Sequence, residues 1–562
     1  MFVGGDPYDY HLQQGSKAID MGTELGYPYQ GTAPDCGAFE SPYAREGITY
    51  HVTPDGWNGT NGDGSLERPW KLIDYGDVYG LLRPDDTVLV HAGTYGPANV
   101  SQIGVQLAYG SGKPGYPITY KAEPGAVIDM QGEQGRCGFA DQYWGPTVPQ
   151  VHDIVIDGFE IANCASGILI GGGSRITVKN CYIHGAGTPT DGNVYGIEVV
   201  GYPNAGYGSD DCIFHNNVIA NLTNNLTGQW AISVGTYGGT NRTRVYNNTM
   251  DAADYAWYMV RPYWPNEDWQ WTNNIVTNMR QWIYSTDDFS QFHYQYNLFW
   301  GNPANVMGGL GDVVADPQFV GGDPFSYALT ASSPAVDAGI DVGLSFQGLA
   351  PDMGAIESPY VGGAQYGSLV DVKPLLPGSA VRITEPKIVT ASSNTFADGS
   401  YYVEEPNRVC GLKVKPEVAG LPSVIPGDAI TMLGVVRVDA NGETYLGLHE
   451  ITKSAGTALK PIGASGVGAA HSRLAGSGIL VRSWGLVTKV TSDYIYVDDG
   501  TGYDDGSGNG AGIRIVLSGL TNPITKTFVE GVTYVNGVTG LAGLDTGGVV
   551  CIRPRSDADI QL

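Results

Sequence analysis

IVIDGFEIAN (154–163) and ITVKNCYIHG (176–185) are two copies of one pattern: alternating apolar residues, a polar corner, then a further apolar pair. CIFHNNVIAN (212–221), TRVYNNTMDA (243–252), WQWTNNIVTN (269–278) and FHYQYNLFWG (292–301) repeat it, with starts 22 to 36 residues apart. Alternation marks a strand with one buried face. A strand that recurs once per coil, too far from the last for a hairpin, predicts parallel stacking into a solenoid. A second strand follows each first one, at GILI (167–170), GIEV (196–199), AISV (231–234), WYMV (257–260) and WIYS (282–285). Two sheets are therefore expected to recur in register.

The corners carry their own signal. Asn180, Asn216, Asn247 and Asn273 share one position, and Asn217, Asn248, Asn274 and Asn297 share the next. Stacked amides can hydrogen-bond from coil to coil, and asparagine tolerates the left-handed backbone of a sharp turn. The Asn-X-Ser/Thr match at Asn247 accordingly reads as a ladder member. Asn58, Asn99, Asn221 and Asn225 remain as candidate glycosylation positions.

Composition bounds the rest. A chain of 562 residues is too long for one core, and 82 glycines and 33 prolines against 15% charged residues suit short strands and tight turns. A net charge of −27 argues against nucleic acid and anionic membranes as partners, and against bare polyuronates unless a cation bridges the charges. Cys36, Cys137, Cys164, Cys181, Cys212, Cys410 and Cys551 lack CxxC spacing, so they are expected to be small buried apolar residues rather than zinc or redox groups. No apolar run reaches the roughly 18 residues of a membrane span.

The first 43 residues copy the middle of the chain. MFVGGDPYDYHL (1–12) matches QFVGGDPFSYAL (318–329), and residues 2–43 laid over 319–360 give 24 identities in 42 positions without a gap. Repeats of this length are read as modules. Residues 1–43 are thus expected to be an orphan module tail, and 44–360 a complete module with its own tail. There is no basic stretch followed by an apolar run at the start, so no signal peptide is read there.

GITYHVTPDGWNGTNGDGS (47–65), RPWKLIDYGDVYGLLRPDDTVLVHAGTY (68–95) and YPITYKAEPGAVIDM (116–130) resemble the opening of right-handed parallel β-helix proteins of the pectate-lyase-like superfamily. DPQF, YALTASSPAVDAG and PDMGAIE between 316 and 357 are similar to their C-terminal tail. The resemblance spans about 44–360 and implies the fold; the same solenoid serves lyases, hydrolases, adhesins and structural proteins. After a Gly- and Pro-bearing linker, strands such as AITMLGVVRVDANGETYLGL (429–448) predict two small β-barrels, 361–470 and 471–562. These resemble tandem oligonucleotide/oligosaccharide-binding-fold-like modules of bacterial surface proteins. The expected class is all-β, a right-handed parallel β-helix followed by two OB-like barrels.

Side-chain alternation then locates chemistry. Asp157, Lys179 and His215 fall in one outward column, continued by Tyr246, Thr272 and Gln295. A carboxylate, an ammonium and an imidazole on adjacent coils could serve β-elimination of a polysaccharide; solvated strands also acquire opposite charges for no chemical reason. Glu198 points outward without a carboxylate partner, and Asp210 and Asp211 are sent to opposite faces. Trp257 and Trp282 are placed outward on successive coils with Tyr255, Arg261, Tyr263 and Trp264 nearby, a set suited to sugar stacking or a protein interface. Trp269 and Trp271 are placed inward. DDGTGYDDGSGNG (498–510) could hold Ca²⁺ but lacks the final glutamate of an EF-hand, which favours a solvated turn.

The reading these features favour is an extracellular or cell-surface structural protein assembling head to tail, with itself as partner. The alternatives are a carbohydrate-active enzyme, either polysaccharide lyase or glycoside hydrolase, and a non-catalytic glycan binder.

Overall fold

The computed structural model describes residues 1–562 apart from 6, 23–24, 32, 58–60, 102–103, 134, 142–149, 187–191, 202–207, 225–227, 261–265, 287–291, 302–307 and 472–477. The chain forms two compact units, Met1–Ala328 with Met353–Ile356, and Leu329–Asp352 with Glu357–Leu562.

The first unit is a parallel β-helix. Among the described residues its strands stack into two nine-stranded sheets and one seven-stranded sheet, so the coils contribute three strands rather than the two expected. The apolar pair after each corner, such as Val218–Ala220 or Ile275–Thr277, is a strand of its own in the middle sheet. The core is three inward columns: Ile156, Val178, Phe214, Val245 and Trp271 from the first sheet, Ile161, Ile183, Ile219, Met250 and Val276 from the second, and Phe139, Ile168, Ile197, Val234 and Trp257 from the third. All fifteen are buried in one cluster. The turn into the third sheet needs residues without side chains. A Cβ on Gly167 would lie 2.6 Å from the Gly196 carbonyl oxygen, and one on Gly196 would lie 2.6 Å from that of Ser233.

The two asparagine columns do different work. Asn180, Asn216, Asn247 and Asn273 adopt φ of 55°, 55°, 50° and 60°, so the first column makes the left-handed corner. The second column is the buried ladder. Asn217 Nδ2 donates to Asn248 Oδ1 at 2.9 Å, Asn248 Nδ2 to Asn274 Oδ1 at 3.1 Å, and Asn274 Nδ2 to Asn297 Oδ1 at 3.1 Å. Each Oδ1 also accepts the backbone N–H of the residue one coil earlier. Asp312 ends the ladder by accepting from the Asn297 N–H at 2.9 Å.

Residues 319–328 and 353–356 clasp the outer face of the middle sheet. Phe319, Tyr327 and Ala355 pack on Tyr182, Val218 and Ala220, the Ala355 N–H donates to Thr249 Oγ1 at 3.0 Å, Asn216 Nδ2 donates to the Ala355 carbonyl at 3.2 Å, and the Tyr327 hydroxyl donates to Asp251 Oδ2 at 2.9 Å. Of the cysteines, Cys36 is exposed and the other six are buried thiols.

In the second unit, Ala380–Ala391, Tyr401–Glu404, Gly411–Pro416, Thr444–Ala455 and Asp428–Val438 pair in that order, and the last closes on the first. Leu480–Val490, Tyr494–Asp498, Ile513–Val516, Val549–Arg553 and Tyr534–Asp545 repeat the same order and closure. These are the two small barrels, each spatially ordered 1-2-3-5-4. Ile462–Gly463, on the first side of the expected boundary, pairs with Leu480–Val490 of the second barrel.

Candidate functional site

The outer face of the third sheet carries the strongest concentration of chemistry. Register sets Leu169, Glu198, Gly235, Tyr258 and Tyr284 in one outward column. Ser166, Tyr195, Ile232 and Tyr255 form the column beside it, and Val200 and Tyr237 lie on the other flank. Glu198 accepts a hydrogen bond from the Ser166 hydroxyl at 2.9 Å. Burial pushes its carboxyl up to about 7, with Ser166 pulling the other way. Gly235, the next residue along the column, leaves room for the Tyr195 ring, which a Cβ there would meet at 2.6 Å.

The phenols form a connected set. Tyr195 and Tyr237 hydroxyls hydrogen-bond each other, and Asn193 Nδ2 donates to both, at 2.8 and 3.3 Å. Tyr258 and Tyr284 stack at 5.0 Å with planes 12° apart, and Tyr255 stands 5.5 Å from Tyr258. Trp230 meets Tyr255 edge-on at 5.6 Å and carries the Arg280 guanidinium at 4.5 Å over its ring. Burial holds the Tyr195 phenol well above its ordinary range and pushes Tyr258 up to about 12. These hydroxyls stay protonated at neutral pH and can donate a proton. Sequence alternation identified Glu198 as outward. The surrounding phenols went unnoticed, because Tyr195, Tyr237 and Tyr258 lie in strands separated by loops of unequal length.

The expected column on the first sheet exists as geometry. Asp157 pairs with Lys179, Lys179 with His215 and His215 with Tyr246. Lys179 Nζ lies 3.4 Å from Asp157 Oδ2. Burial lowers the His215 pKa, so the ring is neutral at pH 7, and its Nδ1 is 2.6 Å from Asn216 Oδ1.

No protein-family model and no curated protein matches the chain. Among solved structures it is similar to a pectate lyase, at 16% identity over 56% of this chain and 96% of that one with a TM-score of 0.33. It is also similar to a mannuronic acid-specific polysaccharide family 6 lyase from human gut microbiota, at 14% identity over 45% and 54% with a TM-score of 0.28. The third is jun a 1, the major allergen from cedar pollen, at 11% identity over 50% and 85% with a TM-score of 0.28.

Several expected positions differ. Trp257 and Trp282 are wholly buried, not outward. Trp257 stacks on Trp271 at 4.7 Å and on Trp269 at 5.5 Å inside the solenoid. Trp257 pairs with Val234 of the inward column rather than with Ala231, and strict alternation breaks where these strands begin: Ala231 and Val234, three apart, and the adjacent Trp282 and Ile283 all join the core. Tyr255 does face outward, although only 5% exposed; Arg261, Tyr263 and Trp264 lie outside the described residues. Asp210 and Asp211 converge on Arg242, at 3.4 and 2.7 Å, because the left-handed turn at Asp211 (φ 59°) breaks the alternation.

Asn99 is buried, its amide donating to the Pro54 and Lys71 carbonyls, and cannot carry a glycan in the folded chain. Asn221 is exposed; Asn58 and Asn225 fall outside the described residues. The carboxylates of 498–505 close their own turns, Asp498 accepting from Gly500 and Gly502, and Asp504 from Gly506. Among the described residues no group of three His, Cys, Asp or Glu could hold a metal ion, so the Ca²⁺ expectation gains no site. Among them, too, no helix is long and apolar enough to cross a membrane.

The raised carboxyls make stability depend on pH. Asp141 is 3% exposed, and burial pushes it up to about 7 although it accepts from the Gly171 and Gly173 N–H groups. Burial also raises Asp74, Asp77 and Asp312. Between about pH 4 and 7 the folded chain holds protons that the unfolded chain has released, so stability falls as pH rises through that window. The melting temperature of the solenoid is expected to be about 5 °C lower near pH 7.5 than near pH 5. Asp141→Asn should flatten the slope, as scanning calorimetry across the window would record.

Proposed function

We propose that the protein is carbohydrate-active and seats a linear polysaccharide along the outer face of its third sheet, with Glu198 as the proton-transferring group. The observation that supports this is the strip itself: stacked, partly exposed Tyr258 and Tyr284 in line with a carboxyl held near neutrality. Neighbouring strands are about 4.8 Å apart, comparable to one sugar unit. A glycan along the axis therefore meets a new coil with each residue, with rings to stack on and phenol and amide groups for its hydroxyls.

One carboxyl beside protonated phenols suits elimination better than two-carboxyl hydrolysis. Glu198 takes the proton from the carbon next to a uronate carboxyl, the glycosidic C–O bond breaks as the double bond forms, and a tyrosine returns a proton to the leaving oxygen. A net charge of −27 selects against a bare polyuronate, so the substrate class is a polysaccharide whose uronates are esterified. Asp157, Lys179 and His215 are the second candidate, favoured by their adjacency in one column. The assembly role concerns a different surface, that of residues 1–43.

The test is absorbance of the unsaturated product from esterified uronate polymers. Activity should rise with pH through about 7, and Glu198→Gln should lower kcat about a hundredfold with KM little changed. Loss on Lys179→Ala with Glu198→Gln silent would move the site to the first sheet. No product from any uronate polymer would end the elimination reading.

A further inference from the structure

The two copies of the module tail fold alike but are not covered alike. In both, a left-handed aspartate, Asp20 (φ 54°) and Asp337 (φ 51°), donates its N–H to a second aspartate, Asp35 and Asp352, at 2.9 and 2.7 Å. That second aspartate accepts from Ser41 and Ser358, at 2.7 and 2.6 Å. Both present the same aromatic trio. Phe2 and Tyr8 stand 5.8 and 4.9 Å from Tyr10, where Phe319 and Phe325 stand 5.3 and 4.8 Å from Tyr327. In the second copy this face is the clasp on the middle sheet, with Tyr327 5% and Ala355 7% exposed. In the first copy Phe2 is 47%, Tyr10 59% and Phe39 47% exposed, and Ala38 is exposed beside them.

We propose that the Phe2, Tyr10 and Ala38 face is a docking surface for another parallel β-helix, which it clasps on the outer face of the middle sheet as residues 319–328 and 353–356 clasp this one. The partner's chemistry is given by the second copy. It offers small aliphatic residues in the place of Val218 and Ala220, a hydroxyl for the Ala38 N–H, a corner amide for its carbonyl and a carboxylate for the Tyr10 hydroxyl. Solvent places no demand for phenylalanine, tyrosine and alanine at these positions. Yet Phe319, Tyr327 and Ala355 recur unchanged as Phe2, Tyr10 and Ala38 while 18 of the 42 aligned positions have diverged. Met353, wholly buried in the clasp, is replaced by the smaller Cys36.

The full chain supplies its own acceptor when its clasp is loosened. Tyr327→Ala with Ala355→Asp should uncover the middle sheet and give oligomers in sedimentation velocity, and adding Phe2→Ala with Tyr10→Ala should return the chain to monomer. A loosened chain that stays monomeric, or oligomers that survive the second pair, would overturn the proposal. A milder variant decides the matter if the loosened chain fails to fold. Phe325→Tyr, Met353→Cys and Ile356→Phe give the clasp the contact residues of the first copy. Hydrogen-exchange protection of Val218–Ala220 and Thr249–Asp251 within about tenfold of wild type supports the proposal, and a greater loss refutes it.

Discussion

Replacing Asn248 by leucine is expected to lower the unfolding free energy of the solenoid by about 4 kcal/mol. The Asn248 side chain makes five hydrogen bonds: its oxygen accepts from the Asn217 N–H and Nδ2, and its own Nδ2 donates to the Phe214 and Tyr246 carbonyls and to Asn274 Oδ1. The residue is 1% exposed, so water cannot replace what leucine removes. Each abandoned buried group costs about 1–3 kcal/mol, and relaxation recovers part of the total. Asn247, one residue earlier, separates the two columns. It holds the left-handed corner (φ 50°), and its Oδ1 accepts from the buried Asn273 Nδ2 at 3.1 Å, so Asn247→Gly, which keeps the turn but removes that acceptor, should cost about 1–2 kcal/mol, less than Asn248→Leu. Chemical denaturation of both variants measures the difference; equal losses would mean that the amide ladder is not what holds the corner.

Trp257→Ala should be comparably severe, about 4 kcal/mol, with no direct effect on a surface-bound ligand. Its ring is sealed between coils, 4.7 Å from Trp271, 5.5 Å from Trp269 and 5.4 Å from Phe292. Alanine leaves a cavity that neighbouring coils, tied by parallel pairing on three sheets, cannot close. Had the ring faced solvent as the alignment of 231–234 with 257–260 implied, the same change would leave the melting temperature untouched and weaken glycan binding. Calorimetry alone tells these apart.

Where sequence reading succeeded, the signal was periodic. A buried solenoid needs an apolar inward column on every coil and a residue able to turn left at every corner, so Ile156, Val178 and Phe214, and Asn180, Asn216 and Asn247, recur at spacings the eye can align. The same periodicity put Asp157, Lys179 and His215 in one column, because the first-sheet strands lead directly into the asparagine corner, which anchors their register. The third sheet has no such anchor. Its strands follow loops of unequal length and open on a bend where alternation breaks, so neither the partner of Trp257 nor its face could be read from spacing.

The sequence by itself therefore determined the parallel stacking, the asparagine corners, the duplicated tail and the presence of β-rich C-terminal modules, since each is carried by residues whose spacing is local or strictly repeated. Only the tertiary structure decided that three sheets form, that the tryptophans fill the core, that Glu198 lies among Tyr195, Tyr237 and Tyr258, and that one copy of the tail is clasped while the other is bare. Those outcomes depend on which strands pair across loops of variable length and on where a strand bends and interrupts its period of two, and neither is carried by local spacing.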